Sequence, residues 1–244
     1  MITQHQPTCF PNNVTVAVSS RSDGTMLDKA IGVHNGITVS NRTKFCEANK
    51  VSYSDVVYQR IIYDESRTYH LIAEADNGST TKFTSEVVAD ALYTEQENVG
   101  LFLPVADCAA TAIYDTKRHA LAIAHLGRHS TYAKLATDIT KHFIHHGSNP
   151  EDIIVWMSPH AQKESYKMTW FDRANDPDWQ GYFEERDGGT YLDLAGFNRQ
   201  LFMKQGIPSD NIHASKVDTM VSADYFSHQN GETMGRLALL AVMR

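Results

Sequence analysis

The chain has 244 residues, 42% of them hydrophobic and 21% charged, with 22 Lys and Arg against 29 Asp and Glu for a formal charge of −7. That length supports one sizeable core, the composition is ordinary for a globular protein, and scattered basic residues in an acidic chain argue against a nucleic-acid surface. Its apolar runs stop short of the ~20 residues a membrane helix needs, and the cysteines Cys9, Cys46 and Cys108 are too few and too odd in number for a disulfide framework. The opening stretch MITQHQPTCFPNNV carries no basic-then-apolar leader pattern. The expectation is a reduced, cytoplasmic protein, monomeric or homodimeric, with a small molecule as its partner rather than nucleic acid or membrane.

In chain order, Val14 to Ser20 alternates as a strand and runs into Arg-Ser-Asp-Gly, a turn in which Gly24 is free to take positive φ. Arg42 to Lys50 reads as a short helix capped by Ser40 or Asn41. Asp55 to Tyr63 is β-rich, and Thr68 to Ala73 is expected to pair with it as a hairpin. Asn77 to Thr81 is a loop, and Ser85 to Thr94 has no decisive period. Leu101 to Ser130 then reads as strand, acidic-thiol turn, apolar run, polar turn at Asp115 to Arg118, and a second apolar strand. Thr131 to His145 looks helical, with Tyr132, Leu135, Ile139 and Phe143 at three- and four-residue steps and Gly147 closing it. Ile153 to Met157 is a strand. Asp172 to Gly189 reads as an ordered surface loop or lid, Tyr191 to Gln205 as a second amphipathic helix, and Ile212 to Val217 and Met234 to Met243 as strands. With no repeat and no linker, the reading is a single α+β domain over residues 1–244.

The chemistry concentrates in Leu101 to Ser130. A strand ending in a glycine turn presents side chains on a rigid base with a free loop above, and Ala120 to Ala124 delivers His125 into such a turn. If the flanking strands are neighbours, Cys108 and His125 face one another, as nucleophile and base or as two thirds of a metal site. Asp107, a carboxylate beside the thiol, and Arg128 and His129, polar groups in the same turn, join them as candidates. His142, His145 and His146 read as the solvated last turn of a helix, where the dipole favours histidine. His160 and His228 flank turns, and Asp64, Glu65 and His70 matter only if their strand approaches Cys108.

The order of pieces resembles the YfiH, or laccase-domain, family once labelled multicopper polyphenol oxidoreductases. The resemblance rests on SSRSDGTM from Ser19, NRTKF from Asn41, ADALYT from Ala89, ADC at Ala106 to Cys108, and AHLG at Ala124 to Gly127. It continues through GSNPEDIIVWMSP from Gly147, SYKM from Ser165 and YFSHQNGETMGRLA from Tyr225. It implies a layered α/β sandwich, mixed sheets flanked by helices, and one metal ion, zinc rather than copper. The ion is expected on a histidine of a Gln-x-His-Gly element, the ADC cysteine and the histidine of a His-Ala-Gly-Trp-Arg-Gly turn. It also implies purine nucleoside phosphorolysis, with adenosine deamination and methylthioadenosine cleavage. Carried over, Cys108 and His125 are metal ligands and Arg21 is an anion contact, with Arg128, His129 and His228 lining a substrate pocket.

The departures are specific. Where Gln-x-His-Gly belongs, the chain reads Ile61-Ile62-Tyr63-Asp64-Glu65, so Asp64, or in the other register Tyr63, takes the missing ligand position. Trp-Arg-Gly has become Arg128-His129-Ser130, a pair of arginines has become His228-Gln229, and the cysteine of a Cys-Thr pair has become Asp218. The leading expectation is a zinc-dependent enzyme of purine nucleosides. The alternatives are a metal-free Cys108–His125 hydrolase or deamidase, by analogy with toxin glutamine deamidases of similar fold, and a non-catalytic nucleoside-binding relative.

Overall fold

The computed structural model describes residues 1–64 and 66–244; Glu65 lies outside the described residues. The strands are β1 (Val14–Val18), β2 (Val56–Arg60), β3 (Ile72–Glu74), β4 (Val87–Val88), β5 (Ala91–Thr94), β6 (Gly100–Val105), β7 (Ala109–Asp115), β8 (Ala120–Leu126), β9 (Ile153–Met157), β10 (Lys167–Met168), β11 (Phe183–Arg186), β12 (Gly189–Leu192), β13 (Ile212–Ala214) and β14 (Leu237–Met243). The α-helices are α1 (Gly36–Ala48), α2 (Arg128–Tyr132), α3 (Leu135–His145) and α4 (Leu194–Lys204).

Strand β6 is buried along its whole length, and its alternate residues serve two cores. Leu101, Leu103 and Val105 point into one apolar layer, and Phe102 into another beneath α1. Strand β8 repeats the device: Leu121 and Ile123 share the layer with β6, while Ala122, Ala124 and Leu126 face α3 and α4. A strand covered on both faces reads as a continuous apolar run. The architecture is therefore α1, a five-stranded sheet in the order β1-β14-β6-β2-β4, a six-stranded sheet in the order β13-β9-β7-β8-β5-β3, and then α3 with α4. A three-stranded sheet, β10-β12-β11, lies beside these layers. Mixed sheets flanked by helices make this the expected α+β class.

Gly24 takes φ 78° and Gly147 φ 92°, the left-handed values that the turn and the helix end require. Several boundaries differ from the sequence reading. Helix α1 begins six residues before Arg42 and is capped by Asn35, whose side chain accepts from the amides of Ile37 and Thr38. The segment at Thr68 to Ala73 does not return as a hairpin: β3 joins the other sheet, parallel to β5, because its partner is set by long-range packing. Asp172 to Gly189 contains β11 and the first residue of β12, so it is a small sheet as well as a loop. The helix read from Tyr191 begins at Leu194, since Tyr191 and Leu192 belong to β12.

Candidate functional site

Hairpin β7–β8 builds the site. Its antiparallel register pairs Ala109 with Leu126 and Ala110 with His125, so one further step sets Cys108 across from Gly127. The amide of His125 donates to Asp90 O at 2.9 Å, which anchors the ligand end of β8 to the residue before β5. Gly127 has an ordinary extended backbone, φ −98°, so its role is space. A Cβ there would lie 2.7 Å from Cys108 Sγ, 2.9 Å from His125 Cε1 and 3.2 Å from His125 Nε2. Thiol and imidazole thus converge on a cradle that only glycine leaves open.

The cradle opens on a cavity of about 720 Å³ between the loop at Leu27 to Val33, the end of β2, the start of β7 and the end of β8. Asp107, Cys108, His125, Arg128, His129 and His228 all line it, as does Tyr63. The Tyr63 hydroxyl lies 3.4 Å from His125 Nε2, with the rings edge to face at 6.2 Å. Tyr63 as a residue is 54% exposed, its hydroxyl is the end that lies toward His125, and desolvation pushes the phenol above its ordinary range. His125 is buried, and its Nδ1 has no hydrogen-bond partner among the described residues. Burial, then the neighbouring charges of His129 and Arg67, pulls its imidazole down to about 4. Burial, reinforced by Asp107, pushes the Cys108 thiol up to about 12, while Arg236, Arg128 and Lys29 act in the opposite sense. The protein alone therefore holds neutral thiol beside neutral imidazole.

The other sequence candidates divide. Asp107 adopts φ 66° and uses both carboxylate oxygens on distant loops, accepting from Thr219 Oγ1 at 2.7 Å and from the Gln229 amide at 2.8 Å. It ties the thiol turn to both loops, one hydrogen bond to each oxygen. Asp64 turns away: its carboxylate accepts from the Ser66 amide and hydroxyl in its own turn, and its backbone is clasped by the Tyr69 hydroxyl. Of the two registers considered for the missing histidine, Tyr63 is the residue that faces His125. Arg21 is also elsewhere, paired with Glu232 at 2.7 Å, donating to Ala223 O and Tyr225 O and lying over the Phe226 ring. Its guanidinium joins two loops instead of facing the cavity. His129 stacks on Tyr69 with ring centroids 4.7 Å apart, and burial and Arg128 lower its imidazole.

Sequence reasoning missed Lys29 and Arg236, both in the cavity wall. Among the described residues neither they nor Arg128 has a carboxylate partner within ion-pair distance. Arg236 donates to Thr233 O and Gly235 O, and Arg128 to Met168 Sδ at 3.8 Å. The only available signal for Arg236 was its place in the closing GRLA of the resemblance. Three cations around one cavity suit an anionic ligand. A separate group, Glu74, His142 and His146, brings three potential metal ligands together on the outer side of α3. There the expectation of a merely solvated helix end missed the carboxylate that β3 supplies.

The model of the family described as multi-copper polyphenol oxidoreductase laccase matches residues 27–244. The chain is 29% identical over 164 residues to a purine nucleoside phosphorylase of Staphylococcus aureus (strain COL), covering 62% of this chain and 59% of that protein. It is 25% identical over 170 residues to a purine nucleoside phosphorylase of Bacteroides thetaiotaomicron, covering 65% and 62%. The match thus spans less than two thirds of these relatives' length. Among solved structures, the hypothetical protein YfiH of Bacillus licheniformis superposes with a TM-score of 0.82 at 26% identity, covering 96% of this chain and 94% of that one. YlmD of Geobacillus stearothermophilus gives 0.81 at 22% identity over 98% and 94%, a likeness of fold.

Proposed function

Because the chain belongs to the multi-copper polyphenol oxidoreductase laccase family, we propose that it is a zinc-dependent enzyme that phosphorolyses purine nucleosides in the cavity above Gly127. The observation that carries this reading is the convergence of Cys108 Sγ and His125 Nε2 on the space Gly127 leaves open. The names of the relatives supply the substrate class.

The donors fit a metal. A sulfur and an imidazole nitrogen held neutral by burial are ligand types zinc accepts, and the phenol oxygen 3.4 Å from that nitrogen would join them only where the metal displaces its proton. Bound there, zinc would remove the thiol proton and polarise phosphate or a water. One Cys/His pair offers one such position, which suits zinc better than the several coppers of an oxidase. The rest is the work of the chain. Lys29, Arg128 and Arg236 hold phosphate by charge, and the Tyr63 and His129 rings in the cavity wall give the base a face to stack on. Phosphate oxygen attacks the ribose carbon, the bond pair leaves with the purine, and the purine regains its proton at the open mouth. Adenosine deamination would use the same cavity with water in place of phosphate.

The metal-free Cys–His reading needs a thiolate near neutral pH, and a thiol at about 12 beside an imidazole at about 4 weighs against it. A non-catalytic nucleoside binder remains the competing outcome. All three cysteines are free thiols, which supports a reducing, cytoplasmic setting, and no helix among the described residues is long and apolar enough to cross a membrane. The test is metal analysis of the purified protein together with assays on inosine plus phosphate and on adenosine. Bound zinc, at least one equivalent of which is lost in Cys108→Ser, and phosphate-dependent release of hypoxanthine are expected. Metal-free protein that turns over neither nucleoside would overturn the reading.

A further inference from the structure

Helix α3 ends beside the edge of the six-stranded sheet, and four-residue spacing places His142 and His146 on one face of its last turn. Tyr93 of β5 packs against both, with ring centroids 4.7 Å from His142 and 5.0 Å from His146; the two imidazoles are 4.3 Å apart. Glu74, the last residue of β3, is brought alongside because β3 pairs with β5 in the register Glu74 to Tyr93. Its Oε1 lies 2.8 Å from His142 Nε2 and 3.9 Å from His146 Nε2.

The tautomer of His146 is fixed by its surroundings. Its Nδ1 lies 2.9 Å from His142 O, a carbonyl that can only accept, so Nδ1 carries the proton. Nε2 faces the Glu74 carboxylate, 3.9 Å from Oε1. A cation between that nitrogen and the carboxylate is held by both, and the hydrogen bond from the Nδ1 side is what orients a metal-bound histidine. The proton on His142 Nε2 is displaced by the same ion. We propose that Glu74, His142 and His146 form a second metal site, for a borderline divalent transition ion such as zinc, independent of the Cys108 cavity.

All three donor atoms lie within 4.8 Å of one another, so small side-chain rotations bring them to tetrahedral spacing with water as the fourth ligand. The negative end of α3 adds to the attraction for a cation. Nearby, Glu95 is occupied by the Tyr93 hydroxyl and by Arg118 and does not compete. The ion would clip β3, a three-residue edge strand, to the end of α3, and so would stabilise the folded chain by binding it selectively.

Cobalt(II) titration of chelator-treated full-length protein tests this. Two classes of binding are expected: a cavity site with a thiolate-to-cobalt charge-transfer band, and a nitrogen/oxygen site with only weak ligand-field bands. Cys108→Ser should abolish the first and leave the second, along with its rise in melting temperature. The double variant His142→Ala/His146→Ala should do the reverse, and Glu74→Gln should weaken the second class at least ~10-fold, as loss of a ligand or its partner does. Unchanged cobalt stoichiometry in the double variant, or full affinity in Glu74→Gln, would overturn the site without touching the proposal for the cavity.

Discussion

Cys108 Sγ and His125 Nε2 approach the same point in space, 2.7 Å and 3.2 Å from where a Gly127 Cβ would stand. Because Gly127 has an allowed backbone for any residue, Gly127→Ala is a steric probe of the cradle. One inserted methyl must displace the thiol or the imidazole, at a cost of about 1–3 kcal/mol in stability. Zinc content and nucleoside turnover should fall far more than melting temperature does; a fully active Gly127→Ala protein would place the chemistry elsewhere.

The pH dependence of the metal-free protein has a definite sign on each side. His125 is depressed from 6.5 to about 4 in the folded state, so its contribution is complete above 6.5 and is lost as pH falls toward 4, by roughly 3 kcal/mol. Cys108 is raised from 9.0 to about 12, so its contribution is complete below 9 and is lost as pH rises toward 12. Denaturant unfolding across pH should show His125→Asn flattening the acid limb and Cys108→Ser the alkaline limb relative to the parent protein.

Tyr63 is the residue that faces His125 where the resemblance expects a histidine, and a phenol that holds its proton more tightly than usual would be a poorer zinc ligand than an imidazole. Tyr63→His should therefore raise zinc affinity by ~10-fold or more, and Tyr63→Phe lower it, both read by competition with a chelating dye. Asp64→Asn is the control: its carboxylate serves Ser66, so zinc affinity should not change. A response to Asp64→Asn equal to that of Tyr63→Phe would assign the ligand to the other register.

How much of this could be read from the sequence follows from which contacts are local. Strands β6, β8 and β14 were legible because both faces are buried and the apolar run has no gaps. The approach of Cys108 to His125 was legible because two successive apolar runs joined by the turn at Asp115 to Arg118 fold back as a hairpin and set their far ends side by side. Helix α1 was half missed because its anchor is a buried Arg42, donating to Met26 O and Val33 O and lying over the Tyr58 ring, in a helix with no apolar stripe. Lys29, Arg236 and Glu74 were missed for one reason: each is brought to its site by sheet pairing or loop closure across large sequence separations. Arg21 and Asp64 were assigned by motif: Arg21 is held by the distant Ala223, Tyr225 and Glu232, and Asp64 by Ser66 in its own turn.

Arg128 offers the cleanest measurement of the anion pocket. It sits at the first position of α2, lines the cavity, and among the described residues its guanidinium donates only to Met168 Sδ. Removing it leaves no buried carboxylate unpaired, so Arg128→Ala should fold normally. A hydrogen bond to a charged group contributes about 1.5–3 kcal/mol. The KM for phosphate should therefore rise on the order of 10- to 100-fold, converting at 1.4 kcal/mol per decade, with a smaller change in KM for the nucleoside. Arg128→Lys should recover part of the loss, because a point charge still attracts phosphate but cannot engage two oxygens at once. Equal effects on both substrates would mean that Arg128 shapes the cavity wall instead of holding the anion.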